Sequence, residues 1–155
     1  MNELRAYRLV KKKWKASAFD GEGARLFGGR WNSRGQPCIY VAASESLAML
    51  EIMVHLDDYG LMSHYALYEV LIPQDSIVWL QSDQLPPDWR EEPAPPSTAA
   101  IGDVWLSSRQ SLALAVPSVI VPREYNFVLN PVHDLFAPLI EGAKEIDFQP
   151  DVRLY

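Results

Sequence analysis

Cysteine is almost absent from this chain of 155 residues: Cys38 stands alone, so an internal disulfide and any multi-cysteine metal site are excluded. Cations are short as well. Fourteen Lys and Arg stand against twenty Asp and Glu, a net charge of −6, without the basic face that nucleic-acid binding requires. The one local exception, Lys11-Lys12-Lys13-Trp14-Lys15, reads as a solvated loop after a first strand. No apolar run approaches the roughly 20 residues of a membrane span. The first residues are charged, unlike a signal peptide, and the expected location is the cytoplasm. Histidine is scarce too. His55 and His64 are close in sequence, but a third ligand and a His-Glu-x-x-His order are missing, so no metal is expected. The glycines at 21, 23, 28, 29 and 35 precede no Gly-Lys-Ser/Thr and do not link a strand to a helix. Neither a phosphate loop nor a dinucleotide fingerprint is present.

What the chain has in quantity is apolar surface. A hydrophobic content of 48%, with five Trp, seven Tyr and five Phe, predicts one globular domain over residues 1–155. Weak alternation predicts a strand over residues 4–10, then an irregular, glycine-rich loop over 16–35. A short strand follows over 37–42. Ser44 is a good N-cap, and the helix it opens is expected to reach Leu56 or Asp57. Strands are predicted over 65–72 and 76–80. Pro86, Pro87, Pro93, Pro95 and Pro96 exclude helix and central strand from residues 84–97, an expected surface excursion. Residues 99–113 read as a second helix with Trp105 and Leu112 facing the core. Residues 116–121 read as a buried strand, 123–133 as turns around Asn126, Asn130 and Pro131, and the tail from 146 as one or two edge strands. Without a regular strand–helix alternation the fold class is α+β, a single compact domain with a mixed or antiparallel sheet.

The chemistry concentrates in a few side chains. In Ser46-Leu47-Ala48-Met49-Leu50-Glu51-Ile52-Met53-Val54 the only charge is Glu51, and helical spacing puts it on a stripe with Leu47, Leu50 and Val54. A carboxylate there is costly unless something meets it. Arg30, after Gly28-Gly29, is the nearest candidate in sequence. Cys38, on an apolar strand, reads as an inert buried thiol. Ser118, between Pro117 and Val119 without elbow glycines, is a poor hydrolase nucleophile but a usable hydrogen-bond donor. Arg30, Tyr40 and Glu51, with Arg8 and Ser118 in support, form either a structural Arg–Glu pair or a site for a nucleotide with an N-glycosidic bond. In the second case an arginine grips the diphosphate, a tyrosine stacks on a ring and a carboxylate stabilises an oxocarbenium-like ribose.

The run Gly23-Ala24-Arg25-Leu26-Phe27-Gly28-Gly29-Arg30-Trp31-Asn32, then Ile39-Tyr40, then Ser46 to Glu51, resembles the RES-domain family. So do Pro117-Ser118-Val119 and Asn126-Phe127-Val128-Leu129-Asn130-Pro131. The family takes its name from an arginine, a glutamate and a serine, here matched by Arg30, Glu51 and Ser118. The resemblance implies a fold like the catalytic core of ADP-ribosylating toxins and a role as toxin of a bacterial toxin–antitoxin pair. It also implies cleavage of the nicotinamide–ribose bond of NAD+ as substrate, with no cofactor and no metal, and an Xre-type helix-turn-helix antitoxin as partner. Transferred onto this chain, Arg30 and Arg8 would hold the diphosphate or ribose, and Tyr40 would stack on the nicotinamide end. Glu51 would meet the ribose, and Ser118 would orient the substrate. The alternatives are a mono-ADP-ribosyltransferase acting on a protein, which needs the same pocket, and a non-catalytic binding module.

Overall fold

A computed structural model of the protein describes residues 2–155. Its seven strands are β1 (Glu3–Lys11), β2 (Ile39–Ala42), β3 (Tyr65–Pro73), β4 (Ile77–Trp79), β5 (Ala113–Pro117), β6 (Tyr125–Leu129) and β7 (Lys144–Ile146). They form one mixed sheet in the order β4-β5-β6-β2-β1-β3-β7, antiparallel except for the parallel β4/β5 pair. The helices are α1 (Glu22–Phe27), α2 (Glu45–Met53), α3 (Pro96–Ser108) and α4 (Phe136–Glu141). The single α+β domain expected from the sequence is what forms.

The sheet has a seam. β1 pairs along its whole length with β3 but meets β2 only where Tyr7 lies opposite Ala42. Beyond that point the two strands part. Leu47 and Ala48 of α2 pack with Leu9, Ala42 and Leu67, whereas Trp105 and Leu106 of α3 pack with Leu114, Val116 and Val128. The two helices therefore cover the two sides of the seam and leave a cleft above β2.

Several sequence expectations need correction. The loop over 16–35 contains α1, and a 3-10 segment, Lys12–Ser17, precedes it. α1 is too short for its period to be read. The second helix spans Pro96–Ser108 and stops where Arg109 takes φ 53°, a left-handed turn that a non-glycine residue seldom adopts. Leu112 then lies outside the helix and inside the core. The buried strand is Ala113–Pro117 rather than 116–121, and residues 123–133, expected as turns, contain the central strand β6. Within the tail from residue 146, only Ile146 belongs to a strand, the end of β7 on the sheet edge; Val152–Leu154 form a 3-10 turn.

Candidate active site in the cleft between two helices

Ser44 opens α2 as expected, its Oγ accepting from the Leu47 amide at 3.1 Å. The helix is turned differently from the sequence expectation. Leu50 and Val54 are 38% and 59% exposed, and only Leu47 and Ala48 are buried. Glu51 is therefore a half-buried carboxylate at the cleft rather than a charge sunk in the core.

Its partners are not Arg30 but two neutral donors. Ser118 Oγ donates to Glu51 Oε2 at 2.8 Å, and Asn126 Nδ2 donates to the same oxygen at 2.6 Å. Ser118 lies just beyond β5 and Asn126 is in β6, beside Ala42 in register. The serine is held in turn, because its Oγ accepts from the amides of Ile120 and Val121, each at 3.1 Å. With its proton directed at a carboxylate and its lone pairs occupied, Ser118 is an orienting group and not a nucleophile. The two donors fix Oε2 and leave Oε1 open to a ligand. Asn126 is inconspicuous in the sequence because the residues around it carry a turn pattern. As a strand, its alternation with Phe127 would have turned it toward the same face as Tyr40 and Ala42.

Arg8 reaches into the seam. Its Nε donates to Ala18 O at 2.7 Å and its Nη1 to Tyr40 O at 2.9 Å, a carbonyl that the parting of β1 and β2 deprives of a strand partner. Among the described residues no carboxylate forms an ion pair with it. Burial pulls its guanidinium down to about 10, partly offset by Cys38 and Asp20, so it stays cationic at neutral pH. A guanidinium with spare N–H groups and no ion-paired carboxylate is suited to an anion.

Arg30 is engaged elsewhere. Its Nη1 donates to Trp89 O at 2.9 Å and Glu91 O at 2.8 Å, and its Nη2 pairs with the Glu92 carboxylate. It thus clasps the proline-rich excursion, whose Arg90 donates through Nη2 to Val119 O at 2.8 Å, next to Ser118. The excursion is an ordered rim of the cleft.

Tyr40 braces the glycine-rich turn. Its hydroxyl donates to Asn32 Oδ1 at 2.6 Å and accepts from the Trp31 amide at 3.1 Å. Burial holds its phenol well above the usual tyrosine range, so it is neutral and takes no part as a base. A Cβ on Gly29 would lie 2.7 Å from that hydroxyl, which is why glycine stands there. Asn32 Nδ2 donates to Ala24 O at 2.9 Å and Gln36 O at 3.0 Å. Replacing Tyr40 by Phe strands the Trp31 amide and Asn32 Oδ1, and we expect a loss of about 1–3 kcal/mol, read as a lower Tm. An unchanged Tm would show that the hydroxyl does not brace the turn.

α3 grips the same turn from above. Thr98 Oγ1 donates to Arg30 O at 2.7 Å, and Asp103 accepts from Ser33 N at 2.9 Å and from Ser33 Oγ at 2.5 Å. None of these α3 residues was legible as functional in the sequence. Cys38 is buried and its thiol is pushed up to about 12 by burial, so it is inert. Among the described residues there is no group of three His, Cys, Asp or Glu able to hold a metal ion, and no helix long and apolar enough to cross a membrane.

The RES domain profile matches residues 5–151. A protein named Toxin Res from Yersinia enterocolitica is 43% identical over 148 residues, covering 96% of this chain and 97% of its own length. Another Toxin Res, from Photorhabdus laumondii, is 44% identical over 148 residues, covering 96% and 95%. A Sphingobium protein named Prs ADP-ribosylating toxin is 38% identical over 125 residues, covering 79% and 78%. Among solved structures, a chain of the M. tuberculosis MbcT–MbcA toxin–antitoxin complex has the same fold. Its TM-score is 0.68 at 20% identity, over 94% of this chain and 85% of that one.

Proposed function

The chain belongs to the RES-domain family, and from that membership we propose that it is the toxin of a bacterial toxin–antitoxin pair and breaks the nicotinamide–ribose bond of NAD+. The observation that carries the chemistry is the Glu51 carboxylate, with Oε2 fixed by Ser118 and Asn126 and Oε1 open to the cleft. Cleavage sends the electron pair of the glycosidic bond to the pyridinium nitrogen, so nicotinamide leaves as a neutral molecule and needs no strong acid. What the protein supplies is orientation and negative charge beside the oxocarbenium-like ribose. Glu51 provides the charge and accepts from a ribose hydroxyl through Oε1. Arg8 holds an anionic group of the substrate at the seam. Tyr40 forms the floor and keeps the glycine-rich turn in place. Arg30 serves the site by fixing the rim at residues 89–92.

The bond broken is the same whether the ribosyl group goes to water, phosphate or a protein. A relative bearing the name Prs ADP-ribosylating toxin favours the protein acceptor as the second reading. The fold shared with a chain of a toxin–antitoxin complex supports an antitoxin partner, which we take to be of the Xre helix-turn-helix type, with action in the cytoplasm where NAD+ is abundant. Expression of the chain alone in bacteria tests this reading. Growth arrest with a fall in cellular NAD+ is expected, reversed by co-expression of the neighbouring antitoxin. Sustained growth at normal NAD+ with folded protein present would overturn it, and arrest at unchanged NAD+ would favour the protein-directed transferase.

A further inference from the structure

The rim of the cleft carries a second arginine, Arg90, whose side chain ends beside Ser118. Its backbone is held on both sides, because the Arg30 guanidinium takes the carbonyls of the residues before and after it, Trp89 at 2.9 Å and Glu91 at 2.8 Å. The rim also closes on itself. Trp89 N donates to Pro86 O at 3.1 Å, Glu91 N to Asp88 O at 3.0 Å, and Ser97 Oγ to Asp88 Oδ1 at 2.6 Å. From this fixed base the Arg90 side chain donates through Nη2 to Val119 O at 2.8 Å, its Cζ 5.9 Å from the centroid of the Trp89 ring.

The carbonyl it holds belongs to the turn that carries Ser118. Residues 118–124 join β5 to β6, and most of their hydrogen bonds are internal. Ser118 N donates to Glu124 O and Glu124 N to Val121 O, both at 2.9 Å, while Ser118 Oγ accepts from the amides of Ile120 and Val121. Val121 rests against the Leu47 cluster. Among the described residues, only two hydrogen bonds outside the strands tie this turn to the rest of the chain: Ser118 to Glu51 and Arg90 to Val119. The hydroxyl that aims Glu51 Oε2 therefore sits one residue from a bond made by the rim.

We propose that Arg90 is a positioning residue for Glu51: by holding Val119 O it fixes the turn that presents the Ser118 hydroxyl to the carboxylate, and Arg30 acts on that carboxylate through it. The assignment rests on the NAD+ reading above. Among the described residues Arg90 forms no ion pair with Glu51, so its loss leaves the charge in place and loosens only its aim. Asn126 still holds Oε2, which keeps the effect below that of removing the carboxylate. Arg90 is exposed, and a surface bond of this kind contributes little to global stability. Turnover and Tm therefore separate.

Arg90→Ala is expected to lower kcat for nicotinamide release about tenfold, with KM for NAD+ and Tm little changed. Arg90→Lys, which still offers an N–H to Val119 O, is expected to keep most of kcat. In a Ser118→Ala background, where the hydroxyl is gone, Arg90→Ala should cost less than about twofold more. A raised KM with kcat intact would make Arg90 a group that grips substrate, and additive losses in the double variant would break the path through Ser118. Either result would overturn the proposal. Amide hydrogen exchange at Ile120 and Val121, which donate to Ser118 Oγ, reads the turn without any turnover. Faster exchange in Arg90→Ala and near wild-type rates in Arg90→Lys are expected, and equal rates in all three proteins would also overturn it. Faster exchange in Arg90→Ala, from a wild type that never consumes NAD+, would preserve the clamp and reject the NAD+ reading instead.

Discussion

Glu51→Gln is expected to reduce NAD+ turnover about 100-fold or more while leaving Tm nearly unchanged. The substitution is isosteric. A glutamine carbonyl can take the place of Oε2 and still accept from Ser118 Oγ and Asn126 Nδ2, so the local hydrogen bonds survive. What disappears is the negative charge facing the ribose, and the open acceptor is replaced by an amide that donates. A group whose only task is to tie α2 to β6 would survive this exchange with activity intact. Asn126→Ala keeps the charge but removes one of the two donors that aim it, so its loss should be smaller than that of Glu51→Gln. Full activity in Glu51→Gln would remove the carboxylate from the chemistry.

The second large effect is structural and concerns a residue far from any obvious motif. Gly102→Ala is expected to destabilise the protein by about 3 kcal/mol, a drop of roughly 6–12 °C in Tm for a chain of this size. A Cβ at position 102 would lie 1.6 Å from Trp31 O and 2.7 Å from Trp31 C. Both obstacles are backbone, so no rotamer change relieves them. α3 cannot simply lift, because Thr98 on the turn before Gly102 holds Arg30 O and Asp103 after it holds Ser33. Helix propensity alone argues the other way, since alanine stabilises an exposed helical site by about 1 kcal/mol over glycine. The sign of the measured change therefore separates the two effects. A Tm equal to or above that of the wild type would mean that α3 and the glycine-rich turn are not in close contact.

These two residues illustrate what the sequence discloses and what it hides. Glu51 was conspicuous because it is the only charge in an otherwise apolar helical run, and β1, β2, β3 and the Ser44 cap follow from patterning that local physics controls. Of its partners, Ser118 is legible as a donor for the site, though not as the group that meets the carboxylate, whereas Asn126 is hidden in a strand whose flanks read as turns. The stretch Leu112-Ala113-Leu114-Ala115 has high helix propensity and becomes a strand only because it is buried on both faces between β4 and β6. β6 is flanked by Asn130 and Pro131, whose turn preference masks the strand Tyr125–Leu129. Gly102 looks like a weak point in a helix until Trp31 is brought against it, seventy-one positions away in the chain. Arg30 was expected to face either Glu51 or a diphosphate. Its engagement with Trp89, Glu91 and Glu92 depends on where the proline-rich excursion folds back, which no local pattern encodes. The glycine-rich turn was legible as important, but the cause lies in tertiary packing: Tyr40, Asn32 and α3 all close on it.

The most direct test of the chemistry is release of nicotinamide from NAD+ by the purified chain, freed of any partner and followed by chromatography with and without phosphate. Nicotinamide appearing in step with NAD+ loss, without any added protein, is the result that the oriented Glu51 carboxylate requires, and the co-product identifies water or phosphate as acceptor. Intact NAD+ and no nicotinamide, from protein shown to be folded, would contradict it.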